Sequence, residues 1–330
     1  MSSSAGLGPE IEAAYRAAQG ACLLVGPQEL AMIELLGEDR RRFLNGLVTC
    51  DVGGLSPSTG AYGFFTDRQG KILADAVVLA LEDRLWIEVP ARELAAIAAH
   101  LQSYVIADRV EVGQAAGWRQ VRLLGPAAEA MLGEPAPAGP PWSHREVSLG
   151  GARGRAVRLG RAGAPGIAVW ALEDSARHLA GAIAARAGDA ALEHGDAATL
   201  DILRVEAGIA RFGQDFGRSH FPQETGAAEE AVSYAKGCYL GQEIVARIHY
   251  RGQAQHAMRG LRFSGALPAL GTTLEFEGRE VGRVTSAVLS PRRGGPIGLA
   301  CLHRRGAEPG SWLACAGQEA EVSEPDRILD

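Results

Sequence analysis

The chain has 330 residues, of which 47% are hydrophobic, 22% charged and 6% aromatic, a balance that builds buried cores and excludes disordered or collagen-like chains. Its 39 acidic residues outnumber 33 basic ones for a formal charge of −6. Nothing in that total pulls the chain toward phosphate backbones or anionic membranes, so direct nucleic-acid binding is not expected.

Residues 1–19 read as a tail or loose helix. Cys22–Val25 and Leu30–Leu36 follow as short strands around the Gly26-Pro27 turn signal. Phe43, Leu44 and Leu47 form a helical stripe with Arg40, Arg41 and Arg42 on the wet side, interrupted by Asn45-Gly46. AYGFFT, the turn Asp67-Arg68-Gln69-Gly70, KILADAVVLALE and LWIEV then make an antiparallel meander, with an Ala- and Leu-rich helix over 91–104 and a returning strand at 109–112. The proline-rich stretch 133–142 is an extended connection between RQVRLLG and IAVWAL. Helices are expected from Asp174 as N-cap to Ala187, and from Asp196 as N-cap through LDILRVEAG. Beyond residue 252, short strands punctuated by Gly and Pro predict a small β-barrel or sandwich. The fold class is α+β, divided as 1–19 tail, 20–117 first α+β domain, 118–252 second α+β region and 253–330 barrel.

The cysteines Cys22, Cys50, Cys238, Cys301 and Cys315 are odd in number with no C-x-x-C pair, which predicts a reducing, cytoplasmic setting without a disulfide framework. The eight histidines show no H-E-x-x-H spacing, and no metal site is expected. No apolar run approaches the roughly 18–20 residues of a membrane span. Cys301 and Cys315 sit in apolar strands and read as core.

The densest chemistry lies in KGCYLGQEIVAR, residues 236–247. Cys238 stands near Gly237 and Gly241, with Lys236 two residues before it and Gln242, Glu243 and Arg247 after. Glycines permit close approach of another molecule, and a neighbouring cation lowers a thiol pKa, so Cys238 is the candidate reactive thiol with Lys236 as its activator. Burial as an inert cysteine is the competing reading.

This run, Lys236, Gly237, Cys238, Tyr239, Gly241, Gln242, Glu243 and Arg247, resembles the signature of the YgfZ-type folate-binding proteins, relatives of the glycine-cleavage aminomethyltransferases. FLNGLVTCDV (43–52), GFFTDRQGKILAD (63–75), RVEAGIARFGQDF (204–216), FPQE (221–224) and VGRVTSA (281–287) follow the same order; 118–195 carries no matching motif. The resemblance implies a ring of α+β units closed by a C-terminal β-barrel, with tetrahydrofolate or a one-carbon derivative in a central cleft. It implies Glu206 of RVEAG as the pterin carboxylate, with Asp75, Asn45 and Arg247 as further cofactor-binding residues. Thr49 and Asp51 are expected to brace a loop with Asn45. The aminomethyltransferases carry two adjacent carboxylates where this chain has Ala74-Asp75, which counts against direct carry-over of aminomethyl chemistry. Arg247, His249, Arg251, Arg259 and Arg262 read as a local basic rim suited to the glutamate tail of folate.

Three functions follow from that resemblance. The first is a folate-dependent factor for assembly or repair of iron–sulfur clusters, with Cys238 as working thiol, a cluster carrier or client enzyme as partner, and any link to tRNA running through iron–sulfur enzymes that modify it. The second is a folate-dependent methyl- or aminomethyltransferase. The third is a noncatalytic adaptor regulated by folate. With one suitably placed thiol, the chain cannot hold a cluster unaided.

Overall fold

The computed structural model describes residues 7–187, 192–252 and 254–330 and contains three sheets. The first part of the chain supplies α1 (Pro9–Gly20), β1 (Cys22–Val25), β2 (Leu30–Leu36), α2 (Arg40–Asn45), β3 (Thr59–Thr66), β4 (Ile72–Ala80), β5 (Leu85–Pro90), α3 (Leu94–Ser103) and β6 (Glu111–Gln114). β3, β4, β5, β2 and β6 form, in that order, an antiparallel five-stranded sheet. Its hairpin turns where DRQG predicts: Asp67 Oδ1 accepts from the Gln69 and Lys71 N–H groups at 2.9 and 2.8 Å. α2 stops at Asn45, as its Asn-Gly pair foretells.

The middle of the chain supplies β7 (Trp118–Leu124), α4 (Ala128–Leu132), β8 (His144–Leu149), β9 (Ala152–Arg158), β10 (Gly166–Leu172), α5 (Glu173–Ala187), β11 (Leu192–His194), α6 (Ala197–Glu206), α7 (Ala228–Ala231) and α8 (Gln242–Arg251). A six-stranded sheet runs β11-β1-β7-β10-β9-β8, so the early strand β1 belongs to the second sheet while β2 belongs to the first. α5 covers this sheet with Ala176, Leu179 and Ile183. Asp174 does not cap α5: β10 passes straight into the helix at Glu173, whose N–H bonds the Gly117 carbonyl, and Asp174 pairs with Arg177 inside the first turn. Asp196 does cap α6, its Oδ1 accepting from the Thr199 N–H at 2.9 Å.

The last part supplies β12 (His256–Phe263), β13 (Thr273–Phe276), β14 (Arg279–Arg283), β15 (Ser286–Ser290), β16 (Gly295–His303), β17 (Trp312–Cys315) and β18 (Gln318–Ser323). They make a seven-stranded sheet, β14-β13-β17-β18-β12-β16-β15, curled into a half-barrel around Leu261, Leu274, Leu302 and Cys315. The close of that curl is tight at Gly282, where an added Cβ would stand 2.9 Å from the Cys301 carbonyl oxygen on β16. The expected tail is instead a packed helix: α1 buries Ala14, Tyr15, Ala17 and Ala18. Residues 1–6 of that expected segment, and residue 253 at the expected barrel boundary, lie outside the described residues. No helix among the described residues is long and apolar enough to cross a membrane.

Candidate functional site

Strand parity decides what faces the gap between the first two sheets. Val77 pairs with both Tyr62 and Glu88, and Asp75 pairs with Phe64, so Tyr62, Phe64, Asp75, Val77 and Glu88 share one face of the first sheet. On the second sheet, Arg122 pairs with Ala168 and Gln120 with Trp170, which places those four on one face. The faces meet at Glu88, whose Oε2 accepts from Gln120 Nε2 at 2.7 Å and Trp170 Nε1 at 3.0 Å.

Next to that contact lies a cluster of polar side chains. The Tyr62 hydroxyl donates to Asp75 Oδ2 at 3.1 Å. Arg161 lies over the Tyr62 ring, 4.9 Å from its centre, and donates to Glu230 Oε2 at 3.0 Å. Arg122 Nε donates to Gln120 Oε1 at 2.7 Å. Among the described residues, Asp75 Oδ1, Glu88 Oε1 and both Arg122 Nη groups have no side-chain partner. Burial pushes both carboxyls above the usual carboxylate range; Tyr62 and Arg161 pull Asp75 back, and Arg122, Trp170 and Gln120 pull Glu88 back. Charged groups left without a side-chain partner in a buried setting make this cluster the candidate site.

Asp75 therefore belongs to this polar cluster, with one carboxylate oxygen left without a side-chain partner. Ala74 faces the other way, fully buried in the core beside its partner Phe65. A carboxylate at 74 would point away from the cluster, so its loss says nothing about acid–base chemistry there.

Glu206, expected as the pterin carboxylate, is engaged within the fold. It is 7% exposed, and both oxygens are taken: Oε2 accepts from the Tyr15 hydroxyl at 2.7 Å, and Oε1 from the Ser290 hydroxyl and the Arg292 N–H. The carboxylate ties α1 and α6 to the barrel. The neighbouring motif blocks join in a second buried knot. Arg204 Nη1 meets Asp215 Oδ2 at 2.9 Å, and Thr285 and Ser286 hydroxyls each donate to Asp215 Oδ1 at 2.6 Å. RVEAG, GQDF and VGRVTSA thus fasten α6 to the half-barrel.

The KGCYLGQE loop packs on the first sheet, where the Leu240 N–H bonds the Gly46 carbonyl and the Thr66 hydroxyl bonds the Leu240 carbonyl. Gly241, at φ +81°, would place a Cβ 2.4 Å from the Asp67 carbonyl oxygen and 2.9 Å from Gly70 Cα. Its lack of a side chain serves this chain's own backbone, not an incoming molecule. Lys236 is likewise turned inward: Nζ donates to the Val48 and Cys50 carbonyls at 2.9 and 2.5 Å, and burial lowers its pKa to about 8. It braces the 48–50 loop and does not activate Cys238, which is exposed with a free thiol. Tyr239 is buried, and Gln242 and Glu243 open α8.

Asn45 is a brace too. Its Oδ1 accepts from the Val52 and Gly53 N–H groups at 3.0 and 3.2 Å, Asp51 holds the Gly54 N–H, and Thr49 links the Phe64 N–H to the Ala231 carbonyl. The expected basic rim divides. Arg259 is spent on Glu324 and the Ala307 carbonyl, and Arg262 on Glu321 and the C-terminal carbonyls of 327 and 328. Arg247 instead lines a cleft of about 840 Å³ between α8 and the half-barrel. Cys315 is core as expected, whereas the half-buried Cys301 borders that cleft, its thiol pushed up to about 12 by burial. Glu88, Arg122 and Arg161 escaped the sequence reading because each sits in an otherwise apolar or loop segment.

The family model described as "GCVT N-terminal domain" matches residues 5–236. A protein from Vibrio vulnificus (strain CMCP6), "tRNA-modifying protein YgfZ", is 30% identical over 262 residues, covering 77% of this chain and 74% of that one. The "Aminomethyltransferase" of Bacillus subtilis (strain 168) is 25% identical, covering 91% and 85%. The crystal structure of glycine cleavage system aminomethyltransferase T from Bartonella henselae superposes with a TM-score of 0.86 at 20% identity, over 97% of this chain and 89% of that chain. The fold is that of the aminomethyltransferases. The chain belongs to the GCVT N-terminal domain family and, within it, to the YgfZ-type proteins.

Proposed function

We propose that the polar cluster between the first two sheets binds tetrahydrofolate or a one-carbon derivative, and that the loaded protein assists iron–sulfur enzymes, including those that modify tRNA. The observation that carries the folate reading is the set of unfinished polar groups at Asp75, Glu88 and Arg122. A pterin presents an amino-pyrimidine edge of adjacent donors and a carbonyl acceptor. Open carboxylate oxygens match the donors, and a guanidinium matches the carbonyl or the benzoyl-glutamate end. Folate would supply one-carbon chemistry; the chain's own part is to orient the ring on Asp75, held by Tyr62, and to exclude water with Phe64 and with Trp142, whose ring stacks on Tyr62 at 6.2 Å. Membership of the family supports this reading, as does the name "tRNA-modifying protein YgfZ" of the curated relatives.

Cys238 acts after binding, as the exposed thiol through which a client or cluster carrier is engaged. One thiol supplies a shared ligand or a mixed disulfide and does not cage a cluster. Titration calorimetry of the reduced protein with tetrahydrofolate tests the first step. Wild type, Glu206→Ala and Cys238→Ala bind alike when folded, whereas Asp75→Asn and Glu88→Gln weaken binding by about tenfold or more. Absence of wild-type binding would remove folate and leave an adaptor working through the Cys238 loop. Turnover of a methylene-tetrahydrofolate donor would select the transferase reading, which the buried Ala74 does not oppose.

A further inference from the structure

The cleft between α8 and the half-barrel belongs to none of this. Lys71 at its edge immediately precedes β4, and Asp75 lies four residues further on, about 13 Å along an extended chain. Its volume of about 840 Å³ is in the range of small-molecule sites. Basic side chains enter from separate elements: the guanidinium groups of Arg247 from α8 and of Arg305 from the turn after β16, and the cross-strand imidazoles of His256 and His303, whose rings lie 5.6 Å apart.

The acids in the same cleft are already engaged. Glu224 turns its carboxylate onto the Phe221 N–H at 2.9 Å and onto His256 Nδ1 at 3.2 Å. Glu280 pairs with Arg283 at 2.9 Å. Among the described residues Arg247 and Arg305 have no carboxylate partner. Phe221, Ile244, Ile248 and Val281 give the same space an apolar wall.

We infer that this cleft is a second binding site, for a phosphate-bearing small molecule of up to nucleotide size. The two guanidinium groups and the imidazole pair grip the phosphate, and the apolar wall takes the organic body. Two guanidinium forks and two imidazoles converging on one space offer more donors than the two oxygens of a single carboxylate accept, whereas a phosphate group presents three or more oxygens.

The test uses the full chain, with inorganic pyrophosphate and AMP as probes, followed by calorimetry with and without saturating tetrahydrofolate. Both probes should bind, AMP more tightly because only it reaches the apolar wall. Arg247→Ala and Arg305→Ala should each weaken binding by about tenfold, the usual loss for one charge-assisted contact. Asp75→Asn should leave it unchanged. Three results would overturn the proposal: no binding of either probe, binding indifferent to both arginine variants, or displacement by tetrahydrofolate. The last would make this cleft the outer end of the folate site. Circular dichroism of each variant separates loss of binding from loss of fold.

Discussion

Tyr15 and Glu206 stand 191 positions apart in the chain and share a buried hydrogen bond of 2.7 Å. With Ser290 on the other carboxylate oxygen, that contact joins the N-terminal helix, α6 and the half-barrel at one point. Burial and the Glu206 carboxylate both push the Tyr15 hydroxyl to titrate far above its usual range. Glu206→Ala strands two hydroxyls and should cost about 1–3 kcal/mol of stability. Urea denaturation measures the loss, and an unchanged midpoint would deny the knot its structural role.

Arg204 and Asp215 pair with side chains 7% and 0% exposed. Asp215→Asn removes the fully buried one of the arginine's two carboxylate partners and leaves only the half-buried Asp201 at 2.7 Å, so about 1–3 kcal/mol should be lost. A drop in the urea midpoint at unchanged slope is the expected signature.

His144 is buried and accepts from Arg155 at 2.9 Å, and burial with that neighbouring cation lowers its pKa to about 4. The unfolded imidazole titrates near 6.5, so between about pH 6.5 and 4 the unfolded state binds more protons than the folded one. Stability therefore falls as pH drops through that window. Between pH 7 and 5 the wild type should lose about 1–2 kcal/mol more than His144→Gln. Parallel losses in the two proteins would show that His144 does not hold its neutral form.

Cys238 is exposed, while Cys22, Cys50 and Cys315 are buried and the thiols of Cys22 and Cys50 are raised to about 11. Brief iodoacetamide treatment of the native protein should modify Cys238 first, read by peptide mass spectrometry. The buried three should react only on unfolding. Equal labelling of Cys50 and Cys238 would contradict the placement of the loop.

Local rules were enough for most of the strands. Alternation and turn residues locate β1 to β5, and capping chemistry locates α6 through Asp196. The hairpin β8–β9 went unread although HREVSL and ARGRAVR flank a Gly150-Gly151 turn, because the preceding prolines suggested an extended connection. The candidate site was legible only in Asp75. Glu206, Lys236 and Asn45 have the residue types of a binding site, but each is engaged within the fold: Glu206 and Lys236 by Tyr15 and Val48, remote in sequence, and Asn45 by the nearby Val52 of its own loop. Only the fold says which polar groups are already satisfied, and so which are left for a ligand.

Because β1 pairs with β7 and β11 while β2 pairs with β5 and β6, the corner at Gly26-Pro27 stitches the two sheets together near the start of the chain. A cut after residue 117 would leave β1 as an orphan with its hydrogen-bonding groups bare, a ready template for aggregation. Neither sheet is a separable module. During synthesis, β1 must wait unpaired until about a hundred further residues have emerged, and the early chain is at its most vulnerable to mispairing through that interval.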